Sequence, residues 1–288
     1  MRRYYAFILF LVSVLSFASC TNDDKDSDIV ALNLNVSIDN RQRISKQAFT
    51  DGDRIGLYLV NYTNDNPGIL GDVFATRYFN SEYILNGAGW YANDGKEIFM
   101  SNAYSDLYAY YPYDPEMSKT SDKMNLTAYP FRIQTEQSAS STQSDFLWAK
   151  TPKLSVLDPQ AIIIFKHLMS RFEINLKFNN QSEIPSDPQL KIYNMQTFCT
   201  INLRTGITSP AGEVSVIKPY RTSNTTEGFD FTYDVIIVPQ FIMGGTPLFS
   251  VTTDNSTLIY ETENDITVTA QNIYTFNMTV GTAQTPEN

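Results

Sequence analysis

The sequence predicts an all-β protein built from antiparallel β-sandwiches. Three observations carry that expectation: apolar residues recur at every second position, turn-forming residues punctuate these runs, and no amphipathic helical stretch of useful length appears. With 288 residues, 42% of them hydrophobic, the chain has enough apolar material for one large or two small domains. A single small sandwich takes about 100 residues, so two β-domains in tandem are the natural division.

The first element along the chain is not part of that fold. Arg2 and Arg3 precede an apolar run from Tyr4 to Phe17, which ends in Phe17-Ala18-Ser19-Cys20. A basic start, a short apolar core and small residues before a cut define a secretory signal, and the run is short of the roughly 20 residues that span a membrane. Small residues directly before a cysteine resemble the lipobox of bacterial lipoproteins. Residues 1–19 are then a lipoprotein signal peptide, and Cys20 takes palmitate-type acylation; the alternative is an ordinary secreted protein with an incidental cysteine. Residues 20–28 continue as a polar, acidic run that has too little apolar surface to fold, and they read as a tether. An acidic run at this place is similar to the surface-export signal of Bacteroidetes lipoproteins. Two or more acyl chains, at about 0.8 kcal/mol per buried methylene, anchor a protein stably, here to the outer membrane. Processing takes the formal charge from −10 to −12 and leaves Cys199 as the only free thiol.

From residue 29 the period is two. Val30, Leu32, Leu34, Val36 and Ile38 alternate with Asn33, Asn35, Ser37 and Asp39, so one face is buried and the other wet. Ile55, Leu57 and Leu59 repeat the pattern behind the turn Asp51-Gly52-Asp53. Phe172 to Phe178, Phe229 to Val235 and Tyr274 to Val280 do the same in the second half. Asn66-Pro67-Gly68, Asn93-Asp94-Gly95, Asp114-Pro115, Arg204-Thr205-Gly206 and Gly244-Gly245-Thr246 supply the turns between them. A break at Leu157-Asp158-Pro159-Gln160 places the domains at 29–160 and 161–288, with Ser182-Glu183-Ile184-Pro185 as the competing boundary.

Composition excludes several classes of function. An excess of 31 Asp+Glu over 21 Lys+Arg argues against nucleic acid as a partner, because phosphates need clustered cations. Two cysteines allow at most one disulfide before processing and none after it. A single histidine leaves no multi-His metal site, and no cofactor motif is present. Gly87-Ala88-Gly89 lacks a following helix and reads as a hairpin turn rather than a dinucleotide loop. His167 would need a nucleophile beside it for catalysis and otherwise reads as a structural residue at a strand or domain junction. Trp90, Trp148, Tyr110 and Tyr111 are candidates for stacking on sugar rings, against the alternative that they fill the core.

Several segments together resemble the fimbrillin family of Bacteroidetes, in its Mfa-like branch. They are Phe49-Thr50-Asp51-Gly52-Asp53-Arg54-Ile55-Gly56-Leu57-Tyr58, Gly89-Trp90, Ala109 to Tyr113, Ser144 to Ala149, Phe165 to Arg171, and Val238-Pro239-Gln240. The resemblance implies two transthyretin-like antiparallel β-sandwich domains and a structural or adhesive role at the cell surface or in a fimbrium, without enzymatic activity. It implies other fimbrial subunits, or host or bacterial surface ligands, as partners. It also implies removal of the first strand by cleavage after an arginine, so that a strand from another subunit fills the groove left behind. Here Arg41 and Arg43 follow Val30 to Ile38 and are the candidate cleavage positions, while Arg54 starts the next strand. The other reading of Asn40-Arg41-Gln42-Arg43 is an exposed basic loop that is not cut. Only Gly281 to Asn288 follows the last strand, a short tail that favours a tip, accessory or anchor subunit over a polymerising stalk. A surface glycan-binding lipoprotein that uses its exposed aromatics is the alternative function.

Overall fold

The computed structural model describes residues 29–39, 44–101, 103–118, 126–180, 184–254 and 256–281. The signal peptide, the acidic tether, Cys20, Arg41 and Arg43 lie outside the described residues. The long strands are, in chain order, β1 (Asn33–Ile38), β2 (Arg54–Thr63), β3 (Thr76–Asn86), β4 (Gly89–Ala92), β5 (Tyr104–Tyr111), β6 (Tyr129–Arg132), β7 (Leu147–Ser155) and β8 (Gln160–His167). They continue with β9 (Ser170–Phe178), β10 (Gln189–Asn202), β11 (Ile207–Ile217), β12 (Phe231–Ile237), β13 (Pro247–Thr252), β14 (Thr257–Glu261) and β15 (Ile273–Val280). Among the described residues the helical turns are short 3-10 pieces, as at Pro115–Ser118, so the protein is all-β.

The first sheet runs β1–β8–β7–β5–β2–β3–β4. Its pairs are antiparallel except β1 with β8, which run parallel with Asn33 opposite Gln160 and Ile38 opposite Phe165. Strand twist curls this sheet into a nearly closed barrel. The ring of Phe49 bridges the seam, lying 5.1 Å from Trp90 on β4 and 5.5 Å from Phe165 on β8 between ring centres. Ile55, Leu57, Leu59, Leu107, Ile163 and Phe165 fill the interior and are all inaccessible to solvent. Their contact with water is removed at about 1.5–3 kcal/mol per side chain.

The remaining strands form two sheets, one with β12–β9–β15 and one ordered β11–β10–β13–β14, with β6 also paired to β10. These two face each other: Phe249 on β13 meets Phe276 on β15 edge to face at 4.9 Å. The second half thus has facing sheets, as expected of a sandwich, whereas the first half wraps one sheet around its own interior. The central strands of that first sheet are covered on their outer face too. Tyr58 and Val60 on β2 and Tyr108 and Tyr110 on β5 join the core of the second half. β8 alternates cleanly instead, with Ala161, Ile163 and Phe165 inside and Ile162, Ile164 and Lys166 outside.

Residue 160 stands at the head of β8, whose hydrogen-bonded neighbours β1 and β7 lie in the first sheet. The chain leaves that sheet only after His167. The sheets are not wholly antiparallel, since β1–β8 and β9–β15 are parallel pairs. A two-residue period is the same for both pairings, so it carries no information on strand direction.

Candidate functional site

The seam of the first sheet is where the candidate residues converge. β1 is an edge strand with one partner. Asn33 donates to the Pro159 carbonyl and Asp39 to that of Phe165, at 2.9 and 2.8 Å. Alternate residues of a strand point their backbone groups to opposite edges, so those of Leu34 and Val36 turn away from β8 to the open side. Leu32 and Ile38 are buried and Leu34 and Val36 half-buried, all against the barrel interior.

The segment that leads into β2 is held quite differently, by side chains. Ile44 is buried, and the Ser45 hydroxyl donates to Asp145 Oδ2 at 2.5 Å. Lys46 pairs with Asp53 Oδ2 at 2.7 Å, and Phe49 enters the nest of Trp90, Tyr111 and Phe165. Asp53 is the hub of this arrangement, accepting the Thr50 N–H at 2.6 Å and the Tyr111 hydroxyl at 3.1 Å as well. This explains the Gly-Asp-x-Ile-Gly signature physically. Gly52 takes φ +88° in the turn, Asp53 ties three elements together, and a Cβ on Gly56 would fall 2.1 Å from the Tyr110 ring.

His167, the last residue of β8, meets Asp145 across the same region, with Nδ1 2.6 Å from Oδ2 and both residues 1% exposed. Ser45 bonds to the carboxylate and not to the imidazole, so the three groups do not form a nucleophile–base couple. They form a buried polar tie between the seam segment, the start of β7 and the end of β8.

Between the open edge of β1, the β3–β4 hairpin and Gln47–Phe49 lies a groove of about 610 Å³. Of the four candidate sugar-stacking aromatics, it contains only Trp90. Tyr110 is buried, stacked on Phe146 and hydrogen-bonded to Asn80, and burial raises its hydroxyl far above the usual phenol range. Tyr111 is half-buried and committed to Asp53; burial first, and then the Asp53 charge, raise its hydroxyl. Trp148 donates Nε1–H to the Leu203 carbonyl at 2.8 Å, and its ring lies over Gly206. All three side chains are thus engaged in contacts within the protein, two of them half-buried rather than enclosed. Cys199 is fully buried, and burial pushes its thiol up to about 12. Sequence reasoning missed the Asp145–His167 tie and the Asp53 hub, whose partners are distant in the chain. Among the described residues no three His, Cys, Asp or Glu side chains converge as a metal site.

A curled first sheet with an open seam, followed by two facing sheets, defines an all-β class of protein. Residues 42–288 match the family model described as fimbrillin-like, and the chain belongs to that family. It is a cell-surface subunit of structural or adhesive type, in a family that is not catalytic. Solved structures share the fold. A candidate cell adhesion protein from Bacteroides uniformis is 21% identical, with 88% of this chain and 95% of that one covered at a TM-score of 0.62. Another from Bacteroides ovatus is 18% identical, with 87% and 92% covered and a TM-score of 0.66. One from Bacteroides fragilis is 10% identical, with 88% and 94% covered at 0.54. No curated protein matches the sequence.

Proposed function

We propose that the chain is an outer-membrane lipoprotein anchored through Cys20, serving as a tip, accessory or anchor subunit of a fimbrium or adhesive surface structure. Its partners are other fimbrial subunits or surface ligands. The description of its structural relatives as cell adhesion proteins agrees with this role. One observation carries the assembly part of the proposal: the first strand is an edge, held in a different way from the segment that follows it. Val30–Ile38 is held by the parallel ladder to β8, a short antiparallel pairing of Val30–Ala31 with Phe99–Met100 and the apolar side chains of Leu32, Leu34, Val36 and Ile38, while the segment from Ile44 to Phe49 is tied to the body by Asp145, Asp53 and the aromatic nest. A cut after Arg41 or Arg43 separates the two modes of attachment. Loss of β1 then exposes the edge of β8, which demands a new strand.

The finer architectural reading, a tandem of transthyretin-like domains, draws support from the parallel pairing of first and last strands in each half. In that reading the division lies between His167 and Ser170, seven or more residues beyond the break read from the sequence. N-terminal sequencing of protein released from the cell surface tests the processing step, and the expected end is Gln42 or Ile44. Material that always begins at Cys20 refutes it. Membrane fractionation of a Cys20→Ala variant tests the anchor, and retention at the wild-type level refutes that part.

A further inference from the structure

We infer that the seam groove is a binding site for a neutral oligosaccharide, read out by Trp90 and a set of uncharged amide side chains. The proposal goes beyond the subunit role and does not depend on it. The groove of about 610 Å³ falls within the 300–1,000 Å³ typical of small-ligand sites. Its polar side chains include Asn33, Asn35, Gln47 and Gln160, and its aromatic wall is Trp90 with Phe49. Among the described residues no Asp, Glu, Lys or Arg lines it, although 18% of the chain is charged. The described lining offers no cation to a phosphate, a sulfated chain or an acidic peptide. It matches a ligand with apolar ring faces and many neutral hydroxyls, because carboxamides donate and accept and an indole covers C–H surface. The outward backbone groups of Leu34 and Val36 add unpaired donors and acceptors along one wall.

The competing occupant is an added polypeptide strand on the same edge. Strand addition draws its specificity from pockets that receive every second side chain. Here the way into the interior is already filled by Phe49, packed on Trp90, Tyr111 and Phe165. While β1 is in place, a guest strand has backbone partners but no empty apolar pocket. The hydroxyl-rich ligand needs none.

The test is calorimetric titration of the full lipoprotein, held in a detergent without a sugar headgroup, against maltohexaose, cellohexaose, xylohexaose and a soluble α-mannan. At least one probe is expected to bind. Trp90→Ala should weaken it at least tenfold. Because Trp90 also packs on Phe49, an Asn35→Ala/Gln47→Ala variant provides the control. Both side chains are exposed, so the fold stays intact while binding falls several-fold. Three results overturn the proposal: no heat with any probe up to about 5 mM, a level of very weak affinity; binding unchanged in both variants; or binding only of a synthetic Ile273–Val280 peptide, which assigns the groove to strand addition.

Discussion

Replacement of His167 by phenylalanine puts the buried tie at the seam to a quantitative test. Asp145 accepts two hydrogen bonds, from Ser45 at 2.5 Å and from His167 at 2.6 Å, with its side chain 1% exposed. Phenylalanine keeps the ring and removes one of the two donors. Hydrogen bonds to a charged group contribute about 1.5–3 kcal/mol. A carboxylate stripped of its partner in a dry site raises the cost to about 3–5 kcal/mol. At about 2–4 °C per kcal/mol for a protein of this size class, the melting temperature should fall by about 6–20 °C. Urea unfolding followed by tryptophan fluorescence suits the measurement, since Trp90 and Trp148 both stand in the first sheet. A His167→Phe/Asp145→Leu double variant removes the carboxylate and should recover at least half of the loss. A single variant within about 1 kcal/mol of the wild type refutes the reasoning, because a buried carboxylate with one donor cannot be that cheap.

Gly56→Ala places a Cβ 2.1 Å from Tyr110 Cε1 and 2.7 Å from Asn80 Oδ1, both in buried groups, so a loss of about 3 kcal/mol or more is expected in the same urea assay. Cys199, buried and with its thiol pushed up to about 12, should resist an aromatic disulfide reagent at pH 8 and react fully in denaturant. Burial also raises Tyr233 from 10.0 to about 12. Both groups bind their protons more tightly when folded. Their contribution is therefore complete below the unfolded values, near pH 9 and 10, and is lost as pH rises toward 12. The urea midpoint should hold to about pH 9 and then fall; a midpoint that rises between pH 9 and 12 contradicts the assignment.

The all-β class was legible because alternation records burial on one face, and strands such as β8 obey it residue by residue. β2 was read only in part. Ile55, Leu57 and Leu59 mark the barrel interior, but Tyr58 and Val60 are equally buried because a second body covers the outer face. The domain break was placed by turn chemistry, and the chain does turn there, at Val156–Leu157, but a turn between two paired strands looks the same as a linker. The site divided along similar lines. Trp90 was a candidate by residue type, and only the fold separates it from Trp148, whose indole N–H is spent on Leu203. Asp145 and His167 stand 22 residues apart and meet only because β7 and β8 are neighbours, with Leu147 opposite His167. Nothing in their spacing could announce that contact.

The energetics of β1 decide whether it can be both a wall of a binding groove and a strand to be discarded. Burial of Leu32 and Ile38 with half-burial of Leu34 and Val36 contributes about 5–9 kcal/mol. Each ladder bond adds about 1 kcal/mol, while ordering the seven residues Leu32–Ile38 costs about 7–14 kcal/mol. The balance is a few kcal/mol, enough to hold an attached strand whose end is kept close by the chain. Once the chain is cut, the strand is a separate peptide, and dilution works against its return. Limited trypsin treatment at Arg41 and Arg43 should therefore leave β1 bound in buffer and release it in urea well below the global unfolding midpoint, as followed by mass spectrometry of gel-filtration fractions. A ligand in the groove contacts β1 and is lost with it. At 100 times its dissociation constant it adds about 2.7 kcal/mol to retention and should move that release to higher urea. Release at the global midpoint, with or without ligand, means that β1 is integral to the barrel and cannot be the detachable element.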